Sequence, residues 1–334
     1  MGFPKPENRK SMSKKVNEPL ENHLVWSAHR TKALGQCPRQ YYYNYIGGWE
    51  GWNSDAAPEC QAAYRLKNLT TPELEIGLIV HRQIRTIFEK ARHGLTISPV
   101  TEIKIAQELF RMFVDYSKSR SLETLTAKNR KFLLHELGDG LSHDEILEYV
   151  QKIGNYLENF FQFADVREIL ATPIMLVPEF LDVPGFEIGH ELDVPARLRT
   201  DAVFVTSKSY VVADWKGADE PRPVDRQQAL IYDLFFRKKV GVPVTEKIEV
   251  RFYYLGSGHV EIFEFNDEER AEKLWQCGED FAGLVRYSDD PKINTAPEER
   301  FCPRVSPACF RCNYQQLCPG FLQSRLLRDS KGGV

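Results

Sequence analysis

The chain has no unbroken apolar run of about eighteen residues, so no transmembrane helix is indicated. Its first stretch, MGFPKPENRKSMSKKVNEP, lacks the apolar middle of a secretory signal peptide. The expectation is a cytoplasmic protein with no membrane association. An excess of positive charge is also missing: 44 Lys and Arg stand against 47 Asp and Glu, a net charge of −3 at pH 7. That excludes a strongly basic nucleic-acid coat and leaves room for a local basic groove. There is no G-x-x-x-x-G-K-S/T phosphate loop, so any unwinding of a duplex would need a partner. No internal repeat and no long low-complexity segment is visible.

What is present suits a globular chain of one large domain or two: 334 residues, 42% hydrophobic and 27% charged. A basic arm precedes a short helical stretch and an aromatic-rich run, Tyr41 to Trp52. ELEIGLIVHRQIRTIFEKARHG repeats its apolar residues at helical spacing, and Gly94 can end it. Residues 101–170 read as wholly helical. From about residue 174 the period changes to two. IMLVPEFLDV, RTDAVFVT, SYVVADWK, KIEVRFYYLG and HVEIFEF are strand candidates. A helix from Val224 to Gly241 and another capped by Asn266 accompany them.

The strand candidate that ends in ADWKG carries an acid and a base two residues apart. Asp214 and Lys216 share one face, and Trp215 takes the other. An ordinary ion pair at a strand end would look the same. If Ser207 and Lys208 are the two loop residues of a hairpin, however, Phe204 lies opposite Val211 and Asp201 opposite Asp214. An odd loop length would shift that register by one. Two facing carboxylates repel, and Lys216, a shared proton or a divalent cation would offset the repulsion; oxygen ligands suit Mg2+ or Mn2+.

The ordered set resembles the PD-(D/E)XK nuclease superfamily, in its RecB-like branch. It comprises Gly77 and His81 in GLIVH, Asp201 in RTDAVF, Asp214 and Lys216 in ADWKG, and Gln228 and Tyr232 in QALIY. Two departures stand out: Thr200 replaces the proline common before the first acid, and Asp214 stands where glutamate is frequent. The resemblance implies an α/β, restriction-endonuclease-like fold with a mixed central sheet flanked by helices. It implies that Asp201, Asp214, the Trp215 carbonyl and His81 hold Mg2+ or Mn2+, and that Lys216 acts on the attacking water. Gln228 and Tyr232 would support the lysine and contact the DNA backbone. His81 suggests an exonuclease acting on single-stranded or end-containing DNA, with a helicase or defence-complex partner. A non-catalytic DNA-binding or assembly subunit would keep the same fold.

Seven cysteines, an odd number with no secretion signal, read as metal binding before disulfides. Cys302, Cys309, Cys312 and Cys318 could form a local Zn2+ site. CPRQYYYNYI followed far downstream by CFRCNYQQLC is instead similar to the cluster framework of AddB-type nuclease domains and of the iron–sulfur nucleases of CRISPR adaptation. That resemblance implies a structural 4Fe–4S cluster on Cys37, Cys309, Cys312 and Cys318, tying the two ends of the chain together. Cys60 and Cys277 read as structural. Tyr41 to Trp52 either stack on unpaired bases or pack round the cluster. Arg30, Lys32 and Arg39 either contact phosphate or are isolated surface charges. The expected organisation is a disordered basic arm (1–22), a nuclease domain (23–300, with a helical insertion near 95–172) and a cysteine segment (301–325).

Overall fold

The computed structural model describes residues 21–177, 194–206, 209–240 and 246–321. Most of the basic arm, the strand expected at 178–183, the hairpin turn at Ser207 and Lys208, and the helix end at Gly241 lie outside them.

Largely apolar runs, buried on both faces, build a sheet that has four strands among the described residues. Its strands are β3 (Ala202–Val205), β4 (Tyr210–Lys216), β5 (Ile248–Tyr254) and β6 (His259–Phe263), side by side in that order. β3 runs antiparallel to β4, β4 parallel to β5, and β5 antiparallel to β6. The sheet is therefore mixed, and helix α9 (Pro223–Val240) makes the β4-to-β5 crossover that parallel neighbours require. β1 (Leu69–Thr70) and β2 (Lys131–Phe132) form a separate parallel pair. The hairpin register matches the even-loop expectation: Phe204 pairs with Val211 and Ala202 with Ala213.

Helices cover both faces of the sheet. On one side lie α4 (Pro72–Arg92), α5 (Pro99–Ser119), α7 (His143–Gln162) and α8 (Ala164–Ala171). Their apolar stripes pack on Phe204, Val211, Ala213 and Trp215. Rings dominate that contact, with Trp215 5.4 Å from Phe160 and 6.1 Å from Phe88. Burying each such side chain contributes about 1.5–3 kcal/mol. On the other side α9, α10 (Asp267–Val285) and α1 (Ala28–Gln36) enclose Val203, Val212, Val250 and Phe252. Capping fixes where these helices begin. Thr71 accepts the Leu74 N–H ahead of Pro72, and Asn266 forms a reciprocal capping box with Glu269.

Two expectations need correction. Residues 101–170 are not one helical block: after α5 the chain passes through a 3-10 turn at Leu122–Thr124, then β2 and the short α6 (Leu133–Glu136), before α7 starts at a Ser142 capping box. The polar stretch SRSLETLTAKNR offers too few apolar residues to hold a helix face on the core. The strand expected from residue 174 begins instead as a 3-10 turn, Pro173–Met175, followed by one antiparallel bridge from Leu176 to Phe204.

A third cluster joins the ends of the chain. Tyr43, Ala63, Leu66, Leu69, Leu125, Leu133 and Tyr314 are buried together, beside α2 (Pro38–Tyr42) and α3 (Pro58–Lys67). The Tyr314 hydroxyl donates to Asn44 Oδ1 at 2.6 Å, and Asn313 Nδ2 to the Leu69 carbonyl at 2.9 Å. Arg39 Nε donates to the Phe301 carbonyl at 2.8 Å, and its guanidinium pairs with Glu298. Arg30 and Arg39 are thus buried rather than isolated surface charges; Lys32 is exposed.

Candidate active site

β3 begins at Ala202, so Asp201 stands just outside its first residue. Past that end the Asp201 side chain takes over the ladder's role: Oδ2 accepts the Trp215 backbone N–H at 2.9 Å. The N–H and C=O of one strand residue point the same way, so the Trp215 carbonyl faces that same open edge. Asp201 Oδ1 lies 3.0 Å from His81 Nδ1, which α4 carries to the sheet edge. The Trp215 side chain anchors the opposite face in the aromatic core.

Asp214 and Lys216 leave β4 on the α9 side. Lys216 Nζ lies 2.6 Å from Asp214 Oδ2 and donates to Gln228 Oε1 at 2.8 Å. It also sits 4.2 Å from the centre of the Phe252 ring. Tyr232 donates its hydroxyl to Asp214 Oδ1 at 2.8 Å, while Gln228 Nε2 donates to the Tyr232 oxygen at 2.7 Å. Gln228 and Tyr232 occupy one helix face, four residues apart, so both reach the same carboxylate. The structure therefore brings these side chains together as two hydrogen-bonded groups, His81 with Asp201 and Asp214 with Lys216, Gln228 and Tyr232, coupled through their charges.

Electrostatics separate the two acids. Burial pushes the pKa of both upward. For Asp201 this is overcome by His81, the Trp215 N–H and Lys216, which hold it below the usual carboxylate value. For Asp214 the neighbouring Asp201 charge adds to burial and the pKa rises despite Lys216. Burial opposes protonation of His81, yet Asp201 wins and raises its pKa. The Tyr232 hydroxyl is held well above its ordinary value by burial and by Asp214. The two buried acids are hard oxygen donors of the kind a divalent cation takes, yet with His81 they are not drawn into a ready ligand set: among the described residues no group of three or more His, Cys, Asp or Glu is placed to hold a metal ion.

Arg222 escaped the sequence reading. It lies in the DEPRP turn just after β4, and Asp225 holds it through its backbone N–H at 2.9 Å and Nη2 at 3.0 Å. Its pKa is raised first by the Asp225 hydrogen bond, and the Asp214 charge adds to the shift. The Arg-x-x-Asp spacing at the start of a helix was the available signal.

The thiols gather elsewhere. Cys37, Cys309, Cys312 and Cys318 line one cavity with Arg39, Tyr43 and Tyr314. Burial pushes the Cys312 thiol up to about 11, with Cys318, Cys37 and Cys309 adding to the rise. Cys302 is exposed and is not part of that lining. Cys60 donates to the Trp49 carbonyl at 2.9 Å, and Cys277 is fully buried. The thiols share a cavity without being drawn into a closed ligand set: among the described residues, no group of three or more His, Cys, Asp or Glu is placed to hold a metal ion. The aromatic run mostly packs, with Tyr41 and Tyr43 buried and Trp52 partly exposed.

A family model of the PD-(D/E)XK nuclease superfamily matches residues 25–319. The chain belongs to that superfamily. Its mixed sheet flanked by helices is the restriction-endonuclease-like arrangement, and the superfamily's general activity is metal-dependent nuclease hydrolysis with Mg2+ or Mn2+, which makes DNA the expected substrate. No curated protein matches the chain. No helix among the described residues is long and apolar enough to cross a membrane.

Proposed function

We propose that this PD-(D/E)XK protein is a Mg2+- or Mn2+-dependent DNA exonuclease of the RecB-like branch, working on single-stranded or frayed ends. The observation that carries the reading is the convergence of His81, Asp201, Asp214 and Lys216 at the open edge beyond β3. Asp201, Asp214, the Trp215 carbonyl and His81 would hold the cation, which would polarise the phosphate and lower the pKa of the attacking water. Lys216 is held by Gln228 so that its ammonium can orient that water and offset phosphate charge. Tyr232 fixes Asp214, and Asp225 fixes Arg222 near it.

The four cavity thiols would hold a structural 4Fe–4S cluster. Their support is the shared cavity and the exclusion of Cys302 from it. Thiolates that share one cavity would be stabilised by a bound cationic metal. A helicase or defence-complex partner would supply the unwinding that this chain has no motif for.

The test is incubation of anaerobically purified protein with labelled single- and double-stranded DNA in Mg2+ or Mn2+, beside its ultraviolet–visible spectrum. Degradation from ends is expected, with single strands preferred. Inactivity of protein whose cluster is bound would favour a non-catalytic DNA-binding role.

A further inference from the structure

A second basic site lies upstream of the catalytic acids, and nothing in the nuclease chemistry uses it. Arg30, in α1, is only 8% exposed, and its Nη1 has no hydrogen-bond partner. Its guanidinium lies 4.4 Å from the centre of the Tyr45 ring, and the Lys67 ammonium lies 5.5 Å from the same centre. Lys67 donates to the Asn44 carbonyl at 2.6 Å. Among the described residues neither Arg30 nor Lys67 has a carboxylate partner. Burial, then Arg30 and Arg197, hold Lys67 down to about 8, and burial lowers Arg30 despite Tyr41 and Tyr45, with Arg197 adding to the fall. Burial, Lys32 and Lys67 likewise lower His29. Burying one guanidinium among further cations is costly unless an anion joins them.

The backbone connects this cluster to the catalytic edge. Trp26 and Ala196 form a parallel bridge, and the Arg197 N–H donates to the Trp26 carbonyl at 3.0 Å. Arg197 precedes Asp201 by four residues, so their Cα atoms are at most about 14 Å apart. At about 3.4 Å of rise per nucleotide along a strand, that bound corresponds to no more than roughly four nucleotides. With two cations already against the Tyr45 ring, a phosphate suits the position better than a stacked base.

We propose that Arg30, Lys67 and Arg197, gathered beside Tyr45, hold a backbone phosphate of the DNA strand whose scissile bond lies at Asp201 and Asp214. The proposal rests on the nuclease reading and adds where the strand is held. Lys67 and Arg197 are exposed and can be replaced without opening the core, whereas Arg30 cannot.

The experiment measures binding of a fluorescent single-stranded thymidine oligonucleotide to the full chain, with Ca2+ replacing Mg2+ to slow turnover, over a range of salt. Lys67→Gln and Arg197→Gln should each weaken binding about tenfold at low salt and flatten the log Kd against log salt slope by roughly 0.7. The loss should be the same with or without a 5′-phosphate. Cleavage of bis(4-nitrophenyl) phosphate, too small to reach the cluster, should stay at the wild-type rate. Unchanged affinity and slope in both variants would overturn the site. A loss confined to 5′-phosphorylated strands would overturn the backbone assignment in favour of an end-phosphate pocket. If wild-type protein binds as described but cleaves neither substrate, the nuclease reading fails and the phosphate site stands.

Discussion

Asp201 Oδ2 accepts the Trp215 backbone N–H at 2.9 Å, one residue beyond the last pair of the β3–β4 ladder. A carboxylate thus stands in for a main-chain acceptor, and its second oxygen is left for His81. The position explains how two repelling acids are kept close: Asp201 is tied to β4 by the strand that carries Asp214.

The two jobs of Asp201 can be separated by substitution. Asp201→Asn retains an oxygen for the Trp215 N–H but loses the charge, so it should fold near normally and lose cleavage by about 100-fold or more. Asp201→Ala also strands a half-buried N–H and should cost a further 1–3 kcal/mol or so of stability. Urea denaturation beside a DNA-cleavage assay reads both. Equal stability of the two variants would mean that the Trp215 hydrogen bond contributes nothing.

Tyr232→Phe removes the hydroxyl that donates to Asp214 Oδ1 and leaves Gln228 Nε2 at 3.5 Å from that oxygen. The expected cost is about 1 kcal/mol of stability, read as a lower urea midpoint with an unchanged slope. Cleavage should fall less than for Asp201→Asn, because Tyr232 positions an acid and does not carry the charge. A loss of cleavage as large as that of Asp201→Asn would show a direct role.

Much of this arrangement was legible because it rests on local spacing. The register followed from taking Ser207 and Lys208 as a two-residue loop, which pairs Phe204 with Val211 as observed and puts Asp201 beside Asp214; the apolar residues of β3 and β4 are buried on both faces and carry no register signal of their own. The spacing of Gln228 and Tyr232 on α9 was equally readable. The burial of Arg30 and Arg39 was not, because what surrounds them comes from distant chain: Glu298 and Phe301 meet Arg39 across more than 250 residues of sequence. The β1–β2 pair is two residues long, too short for any alternation to show.

The cysteines offer a colour test. If the cavity thiols hold the proposed cluster, Cys37→Ala or Cys312→Ala should give colourless, poorly soluble protein, because the link would join positions far apart in sequence and its loss would release the most chain entropy. Cys302→Ala, outside the cavity lining, should keep the brown colour and full iron content. Iron analysis with the absorption spectrum decides. Retention of colour by Cys37→Ala would return the fourth ligand to Cys302.

Acid stability should depend on Asp225. Burial raises its pKa, but the Arg222 hydrogen bonds and the Tyr254 hydroxyl outweigh that and hold it below 3.8. A carboxylate whose folded pKa is depressed stabilises the fold in full above its unfolded pKa and loses that contribution as pH falls through the folded value. Asp225→Asn should therefore lower stability at pH 7 and show a shallower decline below about pH 4. Melting temperatures between pH 2 and 7 would reveal it; parallel curves for the two proteins would remove Asp225 from the acid response.

Gly77 lies one turn before His81 on α4, and a Cβ built there would meet nothing within 4 Å. Packing therefore does not require glycine, and in a helix interior glycine costs roughly 0.5–1 kcal/mol relative to alanine. Gly77→Ala should raise stability by about that amount. If the open space is the lane by which DNA reaches His81, Gly77→Leu should be at least as well folded as wild type yet raise KM for DNA, while bis(4-nitrophenyl) phosphate is still hydrolysed normally. A Gly77→Leu protein with unchanged KM would show that the strand does not pass this turn of α4.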